Sequence, residues 1–235
     1  EMLDCLVGSE MCIRDSRLAV CIKHGAALGL DVDLQAVDKA KALLGAHRHT
    51  VSHTPFLDWR DVPNFYASLN EGTITHLALR LLILTIGTRS KPLRHIREEQ
   101  ISGDVWTVPP EQMKGRIGQT EAFRVPLSRQ ALEVIDQARA FARDGYLFPS
   151  ERKGVISDAT MSRYMDRRGY EARPHGFRSS FRVWCSEVAE APWEVSEACL
   201  AHTTGGKIER SYKRTDFLDQ RRELMQRWAN YVDAS

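Results

Sequence analysis

His175-Gly176-Phe177-Arg178-Ser179-Ser180-Phe181-Arg182, read on through Leu200-Ala201-His202 to Tyr212, is the stretch around which the rest of the chain is organised. Phe177, Phe181, Trp184 and Val188 recur at helical spacing and are expected to form one buried face. Arg178 and Arg182 fall on another. If the opening is helical, His175 and Arg178 share a face, because residues three apart on a helix are neighbours. A guanidinium suits a phosphate because its fork of donors meets two oxygens at once. The Tyr212 hydroxyl is a candidate nucleophile, given a neighbour to take its proton and cations to hold the electrophile. These residue types point to phosphoryl transfer on a nucleic-acid backbone.

Downstream of Arg182, Pro192 opens a helix that carries Trp193, Val195 or Cys199, and Leu200 inward, and His202 follows its last turn. Gly205-Gly206 permits a bend before Tyr212. Asp216 is expected to cap a final helix with Leu218, Met225, Trp228 and Val232 near one stripe. Upstream, Ser157 or Asp158 caps a helix running to about Arg168, which Gly169 ends. Ser128 caps another, running to about Arg143, and Asp144-Gly145 then turns the chain. Val105–Val108 reads as a strand stopped by Pro109-Pro110, Met113–Arg116 as a second strand or its turn, and Ala122–Val125 as a third. The fold class expected is therefore mainly α with a small antiparallel sheet. Leu77–Ile86 is strongly apolar but too short to cross a membrane, so Thr73–Ile86 reads as a buried core helix. Its end, Ile86-Gly87-Thr88-Arg89, uses glycine for a sharp turn. Arg89 then either caps the helix carbonyls or projects into a cleft. Lys114 lies near the hairpin of the sheet, a position where most lysines are plain solvated charges.

The chain has 235 residues, 43% hydrophobic and 27% charged, as in a soluble globular protein with room for one large domain and part of another. A net charge of +2 neither requires nor excludes nucleic acid. Arginines do crowd together at Arg163, Arg167, Arg168, Arg173, Arg178 and Arg182, which marks either a DNA-contacting surface or a solvated charged face. Five cysteines, Cys5, Cys12, Cys21, Cys185 and Cys199, fit no zinc spacing and read as reduced thiols. Residues 1–16 show no clean helical period and lack the layout of a signal peptide, so they read as a non-native or misread segment. Residues 17–55 hold two short helices, Arg17–Leu28 and Asp33–Leu44, and a polar linker containing His47, His49 and His53. No supporting ligand spacing accompanies those histidines, so no metal site is assigned. The main domain is read as 56–235.

The ordered set Arg89, Lys114, His175 with Arg178, His202 and Tyr212 resembles the catalytic set of the tyrosine recombinases, the phage integrase family. The similarity is strongest to satellite-phage-type prophage integrases. It is carried by Val105-Trp106-Thr107-Val108-Pro109 through Met113-Lys114, Arg124-Val125-Pro126-Leu127-Ser128, Pro174-His175-Gly176-Phe177-Arg178-Ser179 and Leu200-Ala201-His202. The resemblance implies a helical catalytic domain preceded by a helical core-binding domain, of which residues 17–55 hold a remnant and linker. The arm-binding domain usual further upstream is absent from this stretch. It also implies site-specific recombination of double-stranded DNA at attachment sites, in the bacterial cytoplasm and on the nucleoid. The protein would be a monomer in solution and a homotetramer on DNA, helped by accessory DNA-bending proteins, with no membrane partner. Tyr212 would attack phosphorus to give a 3′-phosphotyrosyl link. Arg89 and Arg178 would hold the non-bridging oxygens, Lys114 would protonate the leaving 5′-oxygen, His175 would move the tyrosine proton, and His202 would donate to the phosphate. Arg163, Arg167, Arg168 and Arg182 are the expected DNA contacts. With two guanidiniums on the phosphate, no metal or other cofactor is implied. One departure from the family pattern is Pro92, where a glutamate is usual three residues after the first arginine. Proline there is expected to bear on how Arg89 is aimed, which keeps open a DNA-binding relative that no longer cuts. A type IB topoisomerase-like relaxase shares the same chemistry.

Overall fold

Thr73 starts the central helix of the molecule, its hydroxyl accepting from the His76 backbone N–H at 3.3 Å. This helix, which we number α4 (Ile74–Thr85), buries Leu77, Ala78, Leu79, Leu81, Leu82, Ile83 and Leu84. A helix apolar on every side must be surrounded, and each such leucine or isoleucine contributes about 1.5–3 kcal/mol by leaving water. The computed structural model describes residues 7–44, 54–115, 120–202 and 215–234. The chain divides into two units, Glu1–His53 and Thr54–Ser235.

In the larger unit α4 packs against α5 (Ser90–Arg94), α6 (Arg129–Arg139), α7 (Thr160–Arg167) and the last helix, α10 (Leu218–Val232). The remaining helices are α3 (Val62–Ala67), α8 (Phe177–Glu187) and α9 (Trp193–Cys199). Trp228 of α10 is fully buried, donates from Nε1 to the Ile83 carbonyl at 2.9 Å, and meets the Trp184 and Phe181 rings at 5.1 and 5.4 Å. That aromatic cluster ties α10 to α8 and α4. The sheet is antiparallel in the order β1 (Ile101–Ser102), β2 (Val105–Val108), β3 (Phe123–Pro126), with Trp106 opposite both Ile101 and Val125. Trp106 and Val108 face the core while Thr107 faces solvent, the period of two expected of a half-buried strand.

Several local expectations need correcting. The first strand of the sheet is Ile101–Ser102, turned at Gly103 (φ +57); of the two readings of Met113–Arg116, its described part Met113–Gly115 is not a strand but follows a 3-10 turn in the connection between β2 and β3. Ser128 does cap α6, accepting from the Ala131 N–H at 3.2 Å, but the helix ends at Arg139. Neither Ser157 nor Asp158 caps α7: the Ser157 hydroxyl meets Thr160 Oγ1 and Asp158 pairs with Arg94. Asp216 does not cap α10; its carboxylate takes two hydrogen bonds from Arg124. Val188 and Trp193 are exposed, at 44% and 51%, because each stands at a helix end where the core stripe has run out.

The smaller unit holds α1 (Val7–Ala27) and α2 (Ala36–Leu44). α1 begins inside the segment whose period looked broken; Gly8 and Ser9 lower helix propensity without forbidding a helix. Among the described residues there only Val37 is buried, and Leu18, Val20, Leu28, Leu34, Leu43 and Leu44 stay exposed, so the described parts of these two helices close little core of their own. The linker histidines lie outside the described residues, and among the described residues no helix is long and apolar enough to cross a membrane.

Candidate active site

Three chain segments meet at Arg178: the turn after α4, the start of α8 and the end of α9. Arg178 is 7% exposed, and its guanidinium donates to the carbonyls of Ile86 at 2.9 Å, Gly87 at 3.0 Å and Leu200. A fourth contact joins its Nη2 to His202 Nε2 at 2.9 Å. One side chain thus satisfies carbonyls left open at two helix ends and fixes the spacing between them.

Gly87 permits that approach by its size. Its φ is not positive; instead a Cβ there would run into the Cys199 carbonyl oxygen and lie 2.9 Å from Phe123 Cε1. Two residues on, Arg89 precedes α5 with extended backbone (φ −93, ψ 170), so it neither continues α4 nor caps it. Pro92 is buried at the third position of α5. There its missing N–H would have had no helical partner anyway, so the proline is accommodated without breaking the turn. Gly176 serves a similar purpose at the start of α8, where a Cβ would meet the Pro55 carbonyl at 2.6 Å and Phe56 Cα at 2.8 Å. His175 lies in the 3-10 turn Pro174–Gly176 that leads into α8, rather than on the α-helix itself. At the far end of α9 the backbone of Ala201 turns left-handed (φ +52), and the His202 N–H returns to the Glu197 carbonyl at 3.0 Å.

Arg89, Ser90, His175 and Arg178 line one small cleft with Leu82, Ile86, Thr88 and Pro174, and among the described residues no carboxylate is in its walls. The Arg89 guanidinium makes no hydrogen bond or ion pair among the described residues, although burial lowers its pKa. Lys114 is exposed, beyond the 3-10 turn after β2, and its charge reaches His175. Burial first, then Arg178, Arg89, His202 and Lys114, push the His175 imidazole down to about 4. Burial and Arg89 bring Arg178 to about 9, against an opposing pull from Glu197, so it stays charged at neutral pH. His202 is also lowered, by burial foremost, while its bond to Glu197 works the other way. The sign for His175 follows directly: cations around it disfavour the imidazolium, so the ring is a neutral proton acceptor at physiological pH. In the DNA-free protein its ring resonances should therefore stay unshifted between pH 8 and pH 5.5, as followed by NMR. A midpoint near 6.5 would show that the cations do not act on it.

Residue Glu197 was not anticipated from sequence. It is 8% exposed and binds an arginine and a histidine, accepting from Arg182 Nε and His202 Nδ1, each at 2.7 Å. Its only trace in the sequence is an acid among the apolar positions of a short helix. Arg182 is thereby tied to Glu197, and to Ser186 Oγ at 2.8 Å, rather than standing free at the surface. Arg163 and Arg167 are exposed on α7 without an ion pair among the described residues. Arg168 lies over the Tyr164 ring at 5.3 Å and 3.9 Å from Glu71. Arg173 pairs with Asp166 at 2.7 Å. Cys185 and Cys199 are buried free thiols whose pKa values burial raises, that of Cys199 to about 11. Tyr212 lies outside the described residues.

The model of the phage integrase family matches residues 55–218, which is most of the larger unit and all the residues just placed. The chain belongs to the phage integrase family. Among its relatives, the integrase of Enterobacteria phage P4 is 31% identical over 202 residues, covering 77% of this chain and 46% of that protein. The chain spans about half the length of the curated relatives it matches. Among solved structures, the lambda integrase (75–356) dimer bound to a COC′ core site superposes with a TM-score of 0.57 at 18% identity, over 92% of this chain and 78% of that one. A lambda integrase tetramer bound to a Holliday junction gives 0.57 at 16% identity, over 89% and 62%. At that identity the likeness establishes the fold, a tyrosine recombinase catalytic domain of helices around a three-stranded sheet, in this integrase-family chain too.

Proposed function

We propose that this chain carries the catalytic domain of a site-specific DNA recombinase that cuts and rejoins DNA through Tyr212. The observation that carries the reading is the cleft itself: the guanidiniums of Arg89 and Arg178 gathered with His175, with no carboxylate among the described residues of its walls. A half-buried, unpaired guanidinium is costly unless an anion completes it, and a phosphodiester is an anion shaped for two such forks.

In the step proposed, the Tyr212 phenolic oxygen attacks phosphorus while the bond from phosphorus to the 5′-oxygen breaks. His175, neutral and an acceptor, takes the phenolic proton. Lys114 supplies a proton to the departing 5′-oxygen. Arg89 and Arg178 hold the two non-bridging oxygens as charge grows on them, which is where fixed donors lower a barrier most. The phosphotyrosyl link conserves the energy of the broken bond, so a 5′-hydroxyl can reverse the step without a nucleotide cofactor. Arg163, Arg167 and Arg168 serve as contacts to the DNA backbone, and Arg182 contributes mainly by holding Glu197. The assembly proposed is a homotetramer on paired attachment sites, formed from monomers on DNA in the bacterial cytoplasm, with DNA-bending proteins assisting. Residues 17–55 would belong to a core-binding domain.

Trapping on a nicked duplex, which loses the strand needed for religation, tests the chemistry. Tyr212→Phe should abolish the covalent adduct and leave DNA affinity within about threefold, since one phenolic hydroxyl contributes little to a contact dominated by phosphate charge. An adduct that persists in the variant would assign the nucleophile elsewhere. No adduct from the parent protein would favour DNA binding without cleavage.

A further inference from the structure

We propose that Glu197 is a positioning residue for His202, holding the proton on Nδ1 so that Nε2 faces Arg178 and the phosphate, and stabilising the imidazolium that forms when DNA enters. The inference rests on the recombinase reading above. Its geometric basis is the chain of contacts from Arg182 through Glu197 and His202 to Arg178.

A guanidinium has donors only, so the contact between Arg178 Nη2 and His202 Nε2 requires Nε2 to accept. His202 is therefore neutral in the DNA-free arrangement, and its one ring proton sits on Nδ1, where Glu197 Oε2 accepts it at 2.7 Å. This is the reverse of what a phosphate needs from the histidine. To donate to a phosphate oxygen, Nε2 must carry a proton. The arrangement supplies a way to change roles. A phosphate in the cleft competes for the donors of Arg178. Once Arg178 Nη2 turns to an oxygen, Nε2 loses its donor and gains an anion nearby, so it takes a proton from solvent and the imidazolium donates from both nitrogens. The Glu197 carboxylate is already against Nδ1 to stabilise that charge. Among the described residues, the charged and titratable groups around the ring are Glu197 on α9, Arg178 on α8, Arg89 on the turn after α4, and His175 before α8. Of these, only Glu197 favours the imidazolium. Arg182, on the other carboxylate oxygen, holds Glu197 in that orientation.

Two measurements test this, and the first needs neither DNA nor a variant. Histidine-labelled protein near pH 7.5 should show His202 with a protonated Nδ1 and an unprotonated Nε2, in long-range nitrogen–proton correlation spectra. A proton on Nε2 would overturn the proposal, whatever the fate of the cleavage reading. The second is the pH profile of single-turnover adduct formation on the nicked duplex at saturating DNA. Glu197→Gln retains an acceptor oxygen and removes the charge, so the rate at pH 7.5 should fall about tenfold or more. It should recover toward the parent rate as pH is lowered, the profile moving about one unit to acid. Glu197→Asp keeps the charge and should recover part of the rate; it also serves if the glutamine variant does not fold. A uniform loss at every pH, with no recovery in the aspartate variant, would mean a packing role only. Absence of an adduct from the parent protein would sink the recombinase reading and leave the tautomer result to decide the role of Glu197 alone.

Discussion

Replacing Arg178 by alanine is expected to slow adduct formation by roughly 10²–10³-fold, the usual cost of removing one preorganised donor to a developing oxyanion, while stability falls by at most a few kcal/mol. Rate and stability separate here because Arg178 has opposing effects on the fold. Its bonds to the carbonyls of Ile86, Gly87 and Leu200 are charge-assisted and contribute about 1.5–3 kcal/mol each. Against them stands the charge itself, buried beside Arg89. A guanidinium that burial and Arg89 bring down to about 9 carries a penalty of roughly 5 kcal/mol. The two terms nearly cancel, so urea unfolding of Arg178→Ala should show a modest change in midpoint with an unchanged slope. Lysine should not restore the rate, because a point charge on a flexible stem meets neither the two carbonyl directions nor two phosphate oxygens together. A variant that unfolds outright would show that the carbonyl bonds outweigh the burial penalty. A folded variant with near-parental cleavage would remove Arg178 from the chemistry.

How much of this was legible in the sequence depended on how local the cause was. α4 could be read because a run of leucines and isoleucines leaves no polar face, and β2 because Trp106 and Val108 alternate with Thr107 ahead of two prolines. β1 could not, since two residues carry no period. Asp216 and Asp158 read as helix caps because aspartate favours that role; the structure gives both to arginines distant in sequence, Arg124 and Arg94, and no local rule foresees those pairs. The ordered set of cationic residues named the site, and four of its members are brought within electrostatic reach of His175. What holds them there was hidden. Arg178 reads as a phosphate ligand, yet its partners among the described residues are three carbonyls and His202; Glu197 drew no reading at all, yet it is buried between Arg182 and His202. Gly87 was legible as the glycine of a sharp turn, which the structure has; the further requirement, room for a carbonyl from another helix, leaves no local sign.

That requirement yields a second large effect. Gly87→Ala should lower the adduct rate about 100-fold, the scale expected when catalytic groups are displaced by about 1 Å, and destabilise the fold by roughly 1–3 kcal/mol, as overpacking does. The φ of this position is not in the left-handed region, so the effect is assigned to the methyl group of alanine and what it meets. Of the two neighbours it meets, the Phe123 ring edge can swing away; the Cys199 carbonyl belongs to the end of α9 and cannot. The turn after α4 and the end of α9 must then part. Arg89 rides on the first and His202 on the second, and Arg178 spans both, so one methyl group disturbs three site residues without touching any of them. The discriminating variant is Phe123→Leu in the Gly87→Ala background. It relieves the ring contact and leaves the carbonyl, so it should recover little of the lost rate. A large recovery would locate the obstruction at Phe123 and show that the approach of the two backbones is not what sets the site.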